Sequence, residues 1–405
     1  MSEQVDVAII GAGPAGSTLA AILARRGLAV ALIDRDVFPR DKLCGEFLSY
    51  DALPVLDALG VLGDIDAAGS PRITRCRVAG NRGSYEFTFP HPARGVSRLF
   101  LDDLLLRKAV SHGARRLDGW TASDIGNDGE MATVTIARGE ETRTITARAL
   151  AGAWGRWGRF DSLLGRGFVR DRTHRNFGFK RHYRAASSHD SEVIELHSFR
   201  RGYLGVSAVE GNVTNICGLV HASRLTGHKG RWESFIDEIR AEERHLGALF
   251  ASHEPAQEGF LSSEPVIFRA RSPVEQGIFM IGDASGVIDP LTGNGMAMAI
   301  QSALLAAPRL AELVANPAER PRLEREYTVA HAAMFTSRIG WSRRIARLLS
   351  RPRLLDALLA TRSPRWLGSF LLQKTRAPYE AIARLAEHMD CGGSPPLSTG
   401  TRPNH

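Results

Sequence analysis

Apolar and polar positions follow two periods along this chain, and the places where the period changes mark its elements. Residues 5–10 form a short apolar run of strand type, 17–26 carry the small and apolar residues of a tightly packed helix, and 29–33 are a second apolar run. Gly27 stands where a helix end favours glycine. The pattern predicts a β-α-β unit. Residues 7–24 hold no charge, which also fits a membrane span or a secretion signal. The GAGPAG interruption at 11–16 divides the run into strand and helix, and Glu3 and Asp6 stand where a signal would need basic residues.

Further along, FGFKRHYR, EVIELHSF, YLGVSAV and VTNICGLV alternate in the strand manner between 177 and 220. Gly211 and Asn212 suit a tight turn between the last two. They predict an antiparallel sheet walling a hydrophobic substrate cavity, although core packing gives the same pattern. His182, Tyr183, His197 and Tyr203 lie on it, and none is nominated for catalysis. After residue 311 the pattern is helical, and residues 391–405 have no apolar pattern and are expected to be disordered.

Composition narrows the class. Of 405 residues, 43% are apolar and 24% charged, which fits a globular enzyme and excludes a disordered or fibrous chain. Cys44, Cys76, Cys217 and Cys391 are too far apart for a disulfide framework or a zinc site, so no metal and a reducing cytoplasm are expected. The net charge of +8 sits in one segment, where nine Lys/Arg between Arg343 and Arg376 face the single Asp356. That distribution argues against a nucleic-acid partner. Residues 342–374 read either as a helix touching anionic lipid at a membrane surface or as a helical lid with a solvated arginine face.

Gly11, Gly13 and Gly16, with Pro14 and Ala15 between them, have dinucleotide spacing. Gly11 permits the turn out of the strand, Gly13 lets a pyrophosphate approach, and Gly16 lets helix and strand pack closely. Asp34 closes the second strand where a ribose is held, with Arg35 next to it. A second cluster at 277–303 has a strand ending in Gly282 and Asp283, a loop with Pro290 and Gly293, and a helix beginning near Asn294, Gly295 and Met296. Such a helix points its positive end at a group that becomes anionic on reduction, as a flavin does. NAD needs no second site of this kind, so FAD is expected.

GAGPAG with Asp34, FPRDKLCGEF (38–47), SRLFLDDLLLRKA (97–109) and GDASGVIDPLTGNG (282–295) together resemble the FAD-dependent group of para-hydroxybenzoate-type hydroxylases, flavin-dependent halogenases and geranylgeranyl reductases. The resemblance covers about residues 1–310. It implies an α/β fold with a Rossmann-like FAD domain of the glutathione reductase type (1–160 plus 270–320). A substrate domain (161–269, with part of 70–95) and a helical region (321–390) complete it. It implies that Asp283 binds the ribityl chain, that Arg98 lies by the phosphates or ribityl, and that Arg40 lies near the adenosine. Without it, Arg98 reads as a surface arginine at a helix start. The stretch Cys44-Gly45-Glu46 resembles the segment that passes the isoalloxazine in the reductase branch. Cys44 is then a flavin or substrate contact, or packing material, and Glu46 a proton donor or a paired structural acid.

The chain also departs from each branch. Trp154 stands where hydroxylases carry the aspartate of an Asp-Gly pair, which puts direct NADH or NADPH binding in doubt and points to a partner flavin reductase. Gly286 follows Ser285 where hydroxylases often have His; the halogenase Lys and WxWxIP stretch and the reductase aromatic-Trp-Phe-Pro motif are missing. Monooxygenation of an aromatic or polyketide-like molecule through a flavin C4a-hydroperoxide is the leading expectation. Carbon–carbon double-bond reduction is the alternative, and a flavin-binding electron carrier without turnover is the third reading.

Overall fold

A computed structural model describes residues 2–171, 175–185, 190–360 and 366–389. The expected disordered tail and Cys391 lie outside them. Strand β1 (Ser2–Ile10) lies at the centre of a sheet, with β2 (Val30–Asp34) on one side and β9 (Glu141–Gly152) on the other, both parallel to it. β6 (Arg115–Asp118) extends the parallel array beyond β2, and β17 (Ile278–Met280) extends it beyond β9. A central parallel strand is covered on both faces and therefore reads as continuously apolar. In β1, Val7 and Ile9 enter the cluster under helices α1 (Pro14–Arg25) and α5 (Gly295–Ala315), while Ala8 and Ile10 enter the opposite one. That opposite face is covered by the antiparallel pair β7 (Thr121–Asn127) and β8 (Ala132–Arg138), a layer the sequence pattern did not predict.

The second sheet runs β10 (Asn176–Ala185), β13 (Val213–His221), β12 (Gly202–Val209), β11 (Val193–Phe199), β4 (Arg72–Gly80), β5 (Gly83–Gly95), β3 (Phe47–Leu48). Short strands β14 (His253–Pro255) and β15 (Leu261–Ser262) join β10, and β16 (Val274–Glu275) edges the first sheet. Gly211 and Asn212 turn β12 into β13 with φ of +72° and +58°. The period of two decides what each face of β10 does. Phe179 and Tyr183 pack against α3 (Trp232–Glu242) and α4 (Arg244–Ala251), and Lys180 and His182 point the other way.

Helix α2 (Arg98–Ser111) packs on α1, and its N-cap Ser97 accepts a hydrogen bond from the Phe100 amide. The C-terminal part comprises α6 (Arg320–Leu349), α7 (Pro352–Ala360), α8 (Trp366–Thr375) and α9 (Tyr379–Glu387). The basic stretch 342–374 is thus divided among three helices, and α7 and α8 lie over β4 and β5. Residues 361–365 of it are outside the described set. Among the described residues α5 is the one helix long and apolar enough to cross a bilayer, and 83% of its apolar window is buried within the protein.

Candidate active site

Between β1 and α1 the chain turns through Gly11, Ala12 and Gly13. Gly11 has φ +109°, and a Cβ on it would lie 2.2 Å from the Ala153 carbonyl oxygen. A Cβ on Gly16 would lie 1.8 Å from the Gly11 carbonyl oxygen, so both glycines are required by packing alone. Gly13 is different. The nearest atoms to a Cβ there are the guanidinium nitrogens Nη2 of Arg98 and Arg40, at 3.8 and 3.9 Å. Open space before a helix N-terminus, bordered by two cations, fits a pyrophosphate.

Asp102 holds these cations in place. Fully buried, it accepts from Arg98 Nε (2.7 Å) and Nη2 (2.6 Å) and from Arg40 Nη1 (2.5 Å). Burial disfavours charge on Arg98, yet Asp102 more than offsets this and holds the guanidinium above its ordinary range. Asp34 accepts from the Ala12 amide (2.7 Å) and the Asp36 amide (2.9 Å), which fixes its carboxylate with lone pairs left for ribose hydroxyls. Arg35 is exposed and stands 3.7 Å from Asp36, outside this cradle.

The two glycine clusters meet. Gly282 has φ +60°, and a Cβ on it would lie 2.9 Å from Ala15 Cβ at the start of α1. Asp283 follows, half-buried, with its own carbonyl accepting from Arg271 Nη1 (3.2 Å). Pro290 is exposed, and Gly293 (φ +60°) presses on the Phe47 ring, 2.7 Å from where its Cβ would be. Gly295 and the buried Met296 open α5. Asn294 turns away: its Nδ2 donates to the Thr375 carbonyl (3.0 Å) and its Oδ1 accepts from Arg338, so only its backbone faces the cradle. The pyrophosphate space, the ribose acid and the second acid beside α5 together fit FAD.

Asp283→Ala is expected to raise the FAD dissociation constant about tenfold or more, the worth of a charge-assisted hydrogen bond in a partly buried site. Equilibrium dialysis of the purified protein measures it, and unaltered affinity would count against the role.

Trp154 lies at the carboxyl end of β9. Its indole fills the slot between Gly152 and Gly158, where a Cβ on either would lie 2.4 Å from the ring, and it packs on Phe160. Nε1 is buried without a hydrogen-bond partner among the described residues. The position therefore presents an aromatic plug and no carboxylate.

Residues 44–46 cross from the first sheet to the second. Asn215 Nδ2 donates to the Cys44 carbonyl (2.9 Å), and Cys44 Sγ accepts from the Glu46 amide (3.4 Å). Burial pushes the Cys44 thiol up, with Arg98 pulling against it, so the thiol is protonated at neutral pH. Glu46 is fully buried with φ +55°. Its Oε1 accepts from Lys180 Nζ (2.6 Å) and the Arg98 amide (2.9 Å), and its Oε2 is 2.6 Å from His182 Nε2. Lys180, also fully buried, donates to Asp41 as well (2.7 Å). Burial opposes its charge, but Glu46 and Asp41 raise its pKa above the ordinary amine value. Asp41, Glu46 and His182 have their ligand atoms within 4.8 Å, spacing suited to a cation, and the Lys180 ammonium supplies that charge.

A second buried acid, Asp289, accepts from Tyr203 OH (2.7 Å) and the Leu291 amide (3.1 Å). Burial raises its pKa to about 6 from 3.8. The folded state then keeps its proton while the unfolded chain loses it, so this group's stabilisation falls as pH rises between about 3.8 and about 6 and is flat above. His331, buried against Ser285 Oγ, is lowered to about 4 by burial and acts in the opposite sense. Thermal melts of Asp289→Asn minus wild type across that window isolate the first effect; a difference independent of pH would refute it.

Residues 4–334 match the family described as the FAD binding domain. The chain belongs to this family. It is an FAD-dependent oxidoreductase. It is 28% identical over 378 residues to menaquinone reductase of Mycobacterium tuberculosis, spanning 88% of this chain and 86% of that one. It is also 28% identical over 338 residues to tryptophan 2-halogenase of Chondromyces crocatus, covering 78% of this chain but 63% of the relative, less than two thirds of its length. The fold is that of the myxobacterial chondrochloren halogenase (TM-score 0.77, 20% identity, 98% of both chains). It is equally that of a geranylgeranyl bacteriochlorophyll reductase-like protein of Thermoplasma acidophilum (TM-score 0.77, 18% identity, 96% of this chain and 100% of that one).

From the sequence, Lys180, Asp41 and Asp102 were missed. Asp41 and Asp102 lie inside the stretches 38–47 and 97–109 without standing out there, and Lys180 is a lysine in an alternating strand whose pattern does not say which face is inward.

Proposed function

We propose that this oxidoreductase reduces a carbon–carbon double bond in a hydrophobic, unsaturated substrate, with Cys44 as proton donor. The observation that carries this reading is the Cys44–Glu46–Lys180–His182 set: a thiol that accepts from the Glu46 amide, next to a buried Glu46 carboxylate bonded to Lys180 and His182. Saturation of a double bond consumes one proton for each hydride, and a thiol next to this network can supply it. End-to-end similarity to the menaquinone reductase favours the same choice over the sequence-based preference for monooxygenation.

FAD, when bound, supplies the hydride. Gly13, Arg98, Arg40 and Asp34 would hold its ADP half, and Asp283 with the α5 N-terminus its flavin half. As hydride reaches one carbon, the Cys44 S–H bond breaks and its proton goes to the other carbon. Arg98 steadies the thiolate that results, and Lys180 with half-buried His182 returns the proton from solvent by way of Glu46. Phe47 and the sheet wall exclude water. A separate flavin reductase delivers the electrons, because Trp154 offers nicotinamide no carboxylate.

The test is anaerobic. Dithionite-reduced, FAD-loaded protein is mixed with a polyprenyl quinone in D₂O, and products are read by mass spectrometry. A gain of two hydrogens, both as deuterium at carbon because the flavin N–H and the Cys44 S–H exchange with solvent, is expected, and Cys44→Ser should slow it about a hundredfold with flavin content unchanged. A parallel run in air that alone yields a product, and one that has gained oxygen, would refute the reading and restore monooxygenation.

A further inference from the structure

The C-terminal helices bring a buried arginine to the face of the second sheet. Arg376 follows α8 and is 8% exposed, and its Nε and Nη1 are buried with no hydrogen-bond partner among the described residues. Its backbone is fixed from both sides. The Thr375 carbonyl accepts from Asn294 Nδ2 (3.0 Å) and Arg338 Nε (3.3 Å), and the Ala377 amide donates to Asp51 Oδ2 (2.9 Å).

Nearby groups do not satisfy the guanidinium. Asp51 is the acid close to it, but Oδ2 is shared among Arg338, Gln301 and Ala377, and Oδ1 makes no hydrogen bond to Arg376. One buried carboxylate therefore stands against two buried guanidiniums. The adjacent Cys76 thiol and Tyr50 phenol are both pushed up by burial, Cys76 to about 12, and supply no counter-charge. A buried, unpaired cation is costly in the free protein and is justified by a partner that arrives with a ligand.

The surroundings describe that partner. Arg376 lies 5.9 Å from the Phe47 ring centroid, Phe47 is 5.5 Å from Phe89, and Tyr50 is 6.3 Å from Phe89. Phe47 also bears on Gly293, at the mouth of α5. The aromatic wall thus runs from the guanidinium to the loop read above as flavin-binding.

We propose that Arg376 is a substrate-recognition residue whose guanidinium binds a ring oxygen of a quinone- or phenol-type substrate, the ring lying on Phe47 and the unsaturated remainder extending toward Gly293. This rests on the reading that the site takes a hydrophobic unsaturated molecule and narrows it to one with an oxygen-bearing ring. A forked donor suits such an oxygen better than a point charge.

Oxidised, FAD-loaded protein is titrated with 2-methyl-1,4-naphthoquinone and with naphthalene, which has the ring without oxygen, and flavin absorbance and tryptophan fluorescence are followed. Wild type is expected to prefer the quinone by about tenfold or more, the size of a charge-assisted hydrogen bond, and Arg376→Met to lose that preference. Naphthalene affinity and FAD content should not change, and the Met variant should melt no lower than wild type, which a purely structural role for Arg376 would not give. Arg376→Lys should recover part of the preference. Equal quinone affinity in wild type and the Met variant overturns the proposal. So does Arg376-dependent protection by chloride that abolishes quinone binding, which would make this a halide site. If Arg376→Met fails to retain FAD, the Lys variant decides: unchanged quinone affinity overturns the assignment, and about a threefold loss or more supports it. These are binding measurements without turnover, so failure of double-bond reduction and failure of this assignment are read separately.

Discussion

Gly16→Ala is expected to give a colourless protein, with FAD content reduced more than about tenfold if it folds at all. The new methyl would sit 1.8 Å from the Gly11 carbonyl oxygen, and Gly11 is itself trapped, its own Cβ position 2.2 Å from the Ala153 carbonyl oxygen. Neither neighbour is a flexible side-chain end; relief means moving α1 off β1, and overpacking of that kind costs about 1–3 kcal/mol or more. Gly13→Ala separates packing from binding. Its methyl meets only two guanidinium tips at 3.8 and 3.9 Å, so the protein without FAD should melt normally while FAD affinity falls. Gly63→Ala, with nothing within 4 Å, is the neutral control. Flavin absorbance per mole of purified protein and melts with and without FAD provide the readouts. Full yellow colour in Gly16→Ala, or equal FAD affinity in Gly13→Ala, would defeat this account of the cradle.

Glu46→Gln is the second large effect. The substitution keeps the shape and removes the charge that balances fully buried Lys180, leaving it with Asp41 alone. Breaking a buried pair from one side costs about 3–5 kcal/mol, and the remaining Asp41 contact brings the expected loss to about 2–4 kcal/mol. Adding Lys180→Met to the same background should recover most of it, because replacing both partners by apolar or neutral groups removes the stranded charge. Urea denaturation with unchanged m-values would show this as a lower midpoint in the single variant and a restored one in the double. Turnover should fall about a hundredfold in both, since neither can return a proton to Cys44. Equal midpoints in wild type and Glu46→Gln would show that the network carries no net stability.

How much was legible in advance follows from distance along the chain. Gly11, Gly13, Gly16 and Asp34 sit within one β-α-β unit, where each glycine meets a local steric demand, and the sequence alone identified them. Gly282, Asp283 and the start of α5 were readable for the same reason, although their meeting with Ala15 was only an expectation until the structure brought them together. Asn294 shows the limit of motif reading: the motif marks the position, while Thr375 and Arg338, 81 and 44 residues away, claim its side chain. Arg35 likewise matched a motif and faces solvent.

By itself the sequence determined the β-α-β unit, the strands between 177 and 220 and the choice of FAD, since these depend on periodicity and on backbone conformations that few residues allow; the parallel pairing of β11 with β4 came only with the tertiary structure. Only the tertiary structure decided the chemistry around Cys44. Asp41, Glu46, Lys180 and His182 are ordinary surface residue types in the linear chain, and burial in a common low-dielectric space is what pairs them and fixes where a proton is kept. The same holds for Arg376, whose unpaired guanidinium has meaning only because the last helices fold back and take it out of water.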